Sequence, residues 1–282
     1  MSIIEAEDLT YTYPGASKRS LQDVSLAIDK GEFAILTGPS GCGKTTLCRC
    51  FNGLIPHFYA GELKGSLNVA DQNVKEHTIG EMAKRVGLVF QNPENQLFAL
   101  SVEKDVAFGL ENLGMPREEM QKRVDWALKM TGIEDLRERA PHELSGGQQQ
   151  RVAIASVLAM QPEIIVFDEP TSFLDPLGAQ RIFEVISDLN RKLGITVILV
   201  EHRLDLAAKY ANHVIIMDEG RIALDGEPRE IFNSEQAWLL GVGIPKAVRL
   251  WRLLEESGVA LKGVPTSSDE ATQSLKEVLW RR

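Results

Sequence analysis

Along most of the chain, short apolar runs alternate with stretches in which apolar residues return every three or four positions. Ile3 to Tyr13 carries apolar and aromatic residues up to a break at Pro14-Gly15. Val24-Ser25-Leu26-Ala27-Ile28 then alternates before Lys30-Gly31, so the N-terminal part reads as paired strands. Phe33-Ala34-Ile35-Leu36 is short and wholly apolar, as a buried strand would be, and from Thr45 through Leu47, Phe51 and Leu54 the period becomes helical. Gly65 to Val69 predicts a strand, Ile79 to Lys84 a short helix, and Val86-Gly87-Leu88-Val89-Phe90 a buried strand ending at Gln91.

Val102 to Leu136 reads as a helical insert, with Pro116 at a helix start and Met120, Val124 and Leu128 on one face. An amphipathic helix follows Leu144-Ser145-Gly146-Gly147-Gln148 and runs to Met160. Next come the strand Ile164 to Phe167, a helix from Pro176 to Leu193 stopped at Gly194, the strand Ile195 to Val200 and a closing hairpin, His213 to Leu224, around Glu219-Gly220. Strands alternating with helices predict an α/β fold with a mostly parallel core sheet covered on both faces. From about Gly241 the pattern changes. Val248, Trp251 and Leu254 share a helical face, Gly258 breaks it, and Ser267-Ser268-Asp269-Glu270 resembles a capping box before Leu275, Val278 and Leu279. These two short helices need a cover, either the parent domain or a second subunit. The expected organisation is one domain over residues 1–240, its helical subdomain at about 92–160, and a C-terminal helical extension over 241–282.

The chain of 282 residues is acidic, with 31 Lys and Arg against 40 Asp and Glu and a net charge of −9. No basic run could track a phosphate backbone, so no nucleic acid partner is expected. No apolar stretch approaches the roughly 20 residues that span a bilayer, and Met1-Ser2-Ile3-Ile4-Glu5 does not open a signal peptide, which predicts a soluble intracellular chain. Cys42, Cys48 and Cys50 crowd into one short stretch, unsuited to a disulfide framework or a four-ligand zinc site, and read as reduced, small apolar residues.

Chemistry concentrates first in Gly38-Pro39-Ser40-Gly41-Cys42-Gly43-Lys44-Thr45-Thr46. This G-x-x-x-x-G-K-[ST] stretch lies between a buried strand and a helix. Several backbone N–H groups can meet phosphate oxygens at once only if no side chain obstructs them, hence Gly38, Gly41 and Gly43. Lys44 is placed to reach the β- and γ-phosphates, and Thr45 to offer a hydroxyl to Mg²⁺. A second element is Asp168-Glu169, at the end of an apolar strand on the same sheet edge. There Asp168 would hold the metal through a coordinated water and Glu169 would accept a proton from an attacking water.

Asp168-Glu169-Pro170-Thr171, preceded by Leu144-Ser145-Gly146-Gly147-Gln148 and by the phosphate loop, resembles the Walker B and signature motifs of an ATP-binding cassette (ABC) ATPase, over about Ile3 to Phe232. The resemblance implies a P-loop NTPase cassette with an N-terminal antiparallel β subdomain and a helical subdomain, ATP and Mg²⁺ as cofactors, and ATP hydrolysis. It implies that Tyr13 stacks on adenine, that Gln91 senses Mg²⁺ and γ-phosphate, that Asp175 contacts the opposite subunit, and that His202 contacts γ-phosphate and orients Glu169. Ser145, Gly146, Gly147 and Gln148 would bind the nucleotide held by a partner's Lys44, so two cassettes would clamp two ATP molecules head to tail. Phe173 departs from the family pattern, in which small residues are common at that place.

Gln91-Asn92-Pro93-Glu94-Asn95-Gln96-Leu97-Phe98, Asp105-Val106-Ala107-Phe108-Gly109 and Glu201-His202-Arg203-Leu204 look like the energy-coupling factor (ECF) branch, whose cassettes drive uptake of vitamins or of cobalt and nickel ions. That resemblance implies a peripheral subunit on the cytoplasmic face of the cell membrane. Its partners would be a second ABC ATPase subunit, identical or a paralogue, an integral membrane scaffold subunit and a solute-binding membrane subunit. A groove around Asn92 to Phe108 would receive the scaffold's coupling helix. A conventional importer with a separate binding protein, and a soluble ABC ATPase that moves no solute, stand as alternatives.

Overall fold

In the computed structural model, residues 1–279 are described. Trp280, Arg281, Arg282 and the side chain of Leu279, all within the expected C-terminal extension, lie outside the described residues. The chain begins with β1 (Ser2–Thr12), β2 (Leu21–Asp29) and β3 (Phe33–Thr37), followed by α1 (Lys44–Phe51) and the single turn α2 (Leu54–His57). Then come β4 (Glu62–Val69), β5 (Gln72–Asn73), α3 (Ile79–Met82) and β6 (Val86–Val89). α4 (Val102–Asn112), α5 (Arg117–Thr131) and α6 (Gly146–Ala159) separate β6 from β7 (Ile164–Asp168). α7 (Pro176–Leu193), β8 (Thr196–Val200), α8 (Leu204–Ala207), β9 (His213–Asp218) and β10 (Arg221–Gly226) complete the sheet, and α9 (Pro228–Asn233), α10 (Glu235–Leu239), α11 (Lys246–Glu256) and α12 (Ser268–Leu279) close the described chain.

Two sheets result. The core sheet has the order β10-β9-β3-β8-β7-β6, parallel except for the antiparallel β9–β10 hairpin, and the N-terminal sheet is antiparallel with the order β2-β1-β4-β5. The core strands show why their sequences are apolar throughout. Ala34, Leu36, Ile164, Val166, Ile198 and Val200 join the apolar cluster shared with the N-terminal sheet, while Phe33, Ile35, Ile165, Phe167, Val197 and Leu199 join the cluster beneath α6 and α7. Successive side chains point to opposite faces, and both faces are covered. A third cluster binds α4, α5 and α6 together through Val106, Leu110, Val124, Leu128 and Val152. α6 belongs to two clusters at once, because Ile154 and Leu158 face the sheet while Val152, Ala155 and Ala159 face α4 and α5.

The expected helix from Thr45 through Leu54 is cut short: α1 ends at Phe51, and Gly53, at φ = +76°, turns the chain so that Leu54 opens the separate turn α2. The short elements β5 and α8 were not anticipated, and the other differences lie at element ends. β4 starts at Glu62 rather than Gly65, because Leu63 and Lys64 find register opposite Tyr11 and Thr10 on β1. α3 stops at Met82 and is fixed at its start by a Thr78–Glu81 capping box, a T-x-x-E signal passed over in the sequence. β6 stops at Val89, so that the Phe90 N–H turns to the Gln96 side-chain oxygen at 3.2 Å.

The two candidate covers of the C-terminal helices resolve in part. Val242, Ile244 and Val248 join the cluster under α7, and the Lys246 N–H donates to Asp205 Oδ1 at 2.5 Å. Arg229 reaches Glu270 Oε1 at 3.0 Å, and the Ser267 hydroxyl caps α12 at Glu270 N, 3.2 Å. Leu250 and Leu253, on the other side of α11, stay exposed. Among the described residues no helix is long and apolar enough to cross a membrane.

At the sheet edge away from the phosphate loop, His213 opens β9 between two carboxylates. Its Nδ1 lies 2.9 Å from Glu32 Oε2, just before β3, and its Nε2 contacts Asp225 on β10. The Asp225 hydrogen bond, opposed by burial and assisted by Glu32, pushes the imidazole pKa up to about 9. A folded value above the ordinary 6.5 makes the triad fully stabilising below pH 6.5, with the benefit lost as pH rises through about 9. Unfolding midpoints should therefore fall between pH 6.5 and 9 by the equivalent of about 2–3 kcal/mol, and His213→Gln should flatten that part of the profile. Denaturant titrations at stepped pH check both.

Candidate active site

β3 carries the chain straight into the phosphate loop, and the loop's shape is set by contacts behind it. Gly220, in the turn between β9 and β10, donates its N–H to the Cys42 carbonyl at 3.0 Å, and Gln22 N donates to the Gly220 carbonyl at 2.8 Å. Lys44 is 6% exposed, and its Nζ donates to the carbonyls of Gly38 and Pro39 at 2.9 Å each, folding the ammonium into the curve of the loop. Cys42 is buried. Desolvation pushes its thiol up while nearby Lys44 pulls it down, which fits a small packing residue rather than a reactive one. The loop borders a polar cleft of about 790 Å³ whose lining includes Ser40, Gly41, Cys42 and Glu219, together with Lys18 and Arg19. Those two cations were not singled out in the sequence, where they follow Pro14-Gly15 as ordinary loop residues.

Tyr13, one residue past β1, packs edge-on against Tyr11 with centroids 4.8 Å apart. Its hydroxyl lies 3.4 Å from Thr46 Oγ1 and accepts from Arg49 Nη1 at 3.1 Å, so the ring stands beside the helix that follows the loop. Thr45 Oγ1 donates to Asp168 Oδ1 at 3.4 Å. Burial is the main influence on Asp168 and pushes its carboxyl up; the Thr45 hydroxyl opposes this and the charge of Glu169 adds to it. A hydroxyl and a carboxylate facing each other at the mouth of the loop are hard oxygen donors. Such a pair fits Mg²⁺, which takes few protein ligands and keeps substrate phosphates and waters.

Beyond β7 the backbone of Glu169 takes φ = +49°, with its N–H donating to the Val200 carbonyl at 3.0 Å. A non-glycine residue pays of order 1–3 kcal/mol for such a conformation, which the surrounding structure must impose. Three side chains converge on the carboxylate. Gln91 Nε2 donates to Oε2 at 3.0 Å, Ser172 Oγ donates to Oε2 at 2.9 Å, and His202 Nε2 lies 3.2 Å from Oε1. Gln91 and His202 come from the ends of β6 and β8, on either side of β7, so parallel neighbours deliver them to one point. Ser172 was quoted only as part of a motif; the signal for its role is its place in a turn whose N–H bonds back to the Glu169 carbonyl at 3.2 Å.

The remaining sequence candidates lie elsewhere. Ser145, Gly146, Gly147 and Gln148 line a second cleft of about 310 Å³ with Phe173 and Asp175, and it shares no lining residue with the cleft at the phosphate loop. The Gln148 side-chain oxygen accepts from the Ser145 N–H at 2.9 Å and hydroxyl at 3.1 Å, fixing the start of α6. Asp175 caps α7 through the Gly178 N–H at 2.7 Å. Phe173, the departure from the family pattern, is 70% exposed at this rim.

Residues 21–172 match the model of the ABC transporter family. The energy-coupling factor transporter ATP-binding protein EcfA1 of Bacillus licheniformis is 43% identical, with 99% of this chain and 96% of that protein covered. CbiO1 of Clostridium perfringens, described as part of the ABC transporter complex cbiONQ, superposes with a TM-score of 0.76 at 38% identity, covering 90% of this chain and 99% of that one. The cassette MJ0796, solved as a dimer in a post-hydrolysis state with ADP and Pi, superposes at 0.69 with 31% identity, covering 80% and 99%. The chain belongs to the ABC transporter family. It is an ATP-binding subunit that hydrolyses ATP.

The glycines offer a direct check on the loop. A Cβ on Gly38 would stand 2.1 Å from the Met217 carbonyl oxygen, at φ = +142°, whereas one on Gly41, at φ = +77°, would meet nothing within 4 Å. Gly38→Ala should therefore abolish nucleotide binding, and Gly41→Ala should cost only about 1 kcal/mol of backbone strain and keep most of it. Equilibrium binding of ATP to each variant, alongside its melting temperature, measures the difference.

Proposed function

We propose that this chain powers a membrane importer of the energy-coupling factor type, as one of a pair of cassettes that close on ATP. The hydrolytic core of the reading is carried by the Glu169 carboxylate, held by Gln91, Ser172 and His202 directly after the Asp168–Thr45 pair, and the transport part by the likeness to the EcfA1 relative. In this reading the amides of Gly38 to Thr46 and the Lys44 ammonium bind the phosphates, Tyr13 stacks on adenine, and Thr45, Asp168 and Gln91 would hold Mg²⁺. When bound, Mg²⁺ neutralises charge on the β- and γ-phosphates. Glu169 accepts the proton of the attacking water, and His202 fixes the orientation of that carboxylate and contacts the γ-phosphate. Each of these side chains is held by a neighbour before substrate arrives, which lowers the ordering cost of the reaction.

The separate cleft of Ser145 to Gln148 supports a head-to-tail pair, in which one copy's α6 N-terminus meets the γ-phosphate held by its partner, with Asp175 at the contact. Cleavage of the nucleotide then splits the ligand that bridges the two copies and loosens the pair. On this reading residues 1–240 form the ATPase domain, its helical subdomain at about 92–160 built on the separate α4–α6 cluster, with 241–282 as a helical extension. Phe98 and Phe108 pack edge-on at 4.6 Å and remain exposed beside Leu100. Asp105 Oδ1 accepts from the N–H groups of Phe98 and Ala99 at 3.1 and 3.2 Å and keeps that loop in place. An exposed apolar ledge suits a coupling helix from a membrane scaffold, with the cassette lying peripherally on the cytoplasmic face. The name of the EcfA1 relative supports the energy-coupling factor class of importer, and a vitamin or cobalt and nickel ion as solute is what the sequence resemblance implies.

Gentle solubilisation of native membranes, capture of this chain and identification of its partners by mass checks the transport reading. A multispanning scaffold and a hydrophobic solute-binding subunit should be recovered in stoichiometric amount. Recovery of the chain from the soluble fraction alone, or with ribosomes, would remove the importer and leave the ATPase.

A further inference from the structure

The switch loop around His202 is tied to the loop after Glu169 by a second set of bonds, none of which touches the reacting groups. Glu201 is 2% exposed and Thr171 fully buried. Glu201 Oε2 accepts from the Thr171 hydroxyl at 2.6 Å, and Oε1 accepts from the N–H groups of His202 and Arg203 at 2.8 and 2.9 Å. Arg203 Nη1 then reaches the carbonyl of Leu174, the residue before Asp175, at 3.0 Å. With the His202–Glu169 and Ser172–Glu169 contacts, these bonds close a ring: Glu169, His202, Glu201, Thr171, Ser172 and back to Glu169. A buried carboxylate is costly unless donors satisfy it, and all three donors to Glu201 come from the two loops that it joins.

We propose that Glu201 and Arg203 are positioning residues that lock the His202 loop to the Thr171–Asp175 segment, so that contact of His202 with γ-phosphate and placement of Asp175 at the partner subunit occur as one movement. This rests on the reading of Glu169 and His202 as the hydrolytic pair and of Asp175 as a partner contact. Glu201 and Arg203, on either side of the histidine, hold Thr171 and Leu174, on either side of Ser172, and separating the two loops by about one ångström along these bonds would carry both beyond hydrogen-bond range.

The purified full chain tests this, with ATP turnover in Mg²⁺ and equilibrium binding of ATP measured side by side. Thr171→Val keeps the shape and removes one donor, and Glu201→Gln keeps the shape and removes the charge. Thr171→Val should lower kcat about tenfold, the effect expected for losing one charge-assisted hydrogen bond, and Glu201→Gln, whose three bonds persist without the charge, should lower it by less, with ATP affinity within about twofold of the parent in both. Thr171→Ser, which keeps the hydroxyl, should restore turnover. Because both residues serve one link, the double variant should be no slower than the slower single variant. Parental kcat in Thr171→Val and Glu201→Gln, equal losses of binding and turnover, or losses that multiply in the double variant would overturn the proposal. Glu169→Gln runs alongside as the reference. Its inactivity with unaffected Thr171 and Glu201 variants would sink the brace alone, whereas parental turnover by Glu169→Gln would sink the hydrolytic reading and the brace with it.

Discussion

A triphosphate can be gripped by backbone N–H groups only where the chain curves tightly around it, and that curvature at Gly38 to Thr45 is the constraint on which the remaining structure depends. The curve is not self-supporting. It is braced by the Gly220 N–H on Cys42, by the Met217 carbonyl packed against Gly38, and by the Lys44 ammonium turned inward onto the loop's own carbonyls. β3 lies inside the core sheet between β9 and β8, so the loop leaves a strand that is paired on both sides. The hairpin β9–β10 therefore serves the site although no residue in it was a candidate for chemistry.

From that anchor the parallel sheet does the rest. β6, β7 and β8 are adjacent and parallel, so their C-terminal ends bring Gln91, Asp168-Glu169 and His202 to one edge without long loops. The left-handed backbone at Glu169 turns the carboxylate back toward its neighbours, and a local conformational cost is offset by three side-chain contacts and a backbone bond to Val200. The result is a carboxylate whose position depends on residues far apart in sequence.

Much of this was legible in the sequence because its signals are local. Phosphate loop, strand-end acid pair and signature stretch each occupy a few consecutive residues with a physical reason for their spacing, and the helix from Pro176 to Leu193 has both of its ends written in the chain. What escaped was set by tertiary contact. The early start of β4 depends on β1, which periodicity in β4 cannot report. Thr171, Glu201 and Arg203 stand in the sequence only as members of motifs, with no role of their own, and their bonds to one another, like those of Ser172, form only where β7 and β8 lie side by side and bury Glu201. The cover of the C-terminal helices was open for the same reason: Val248 and Leu253 are alike in sequence, yet one is buried and the other exposed.

The central claim is that each working site combines the phosphate loop of one copy with the signature stretch of another. Lys44→Ala and Ser145→Arg each disable a different half, so a homodimer of either variant contains no complete site. Mixing the two purified variants gives heterodimers in which the Lys44 of one copy faces the Ser145 of the other, and the measurement is ATP turnover of the mixture against each variant alone. Return of a substantial fraction of parental turnover on mixing is the expected result. A mixture as inactive as its components would contradict the composite site.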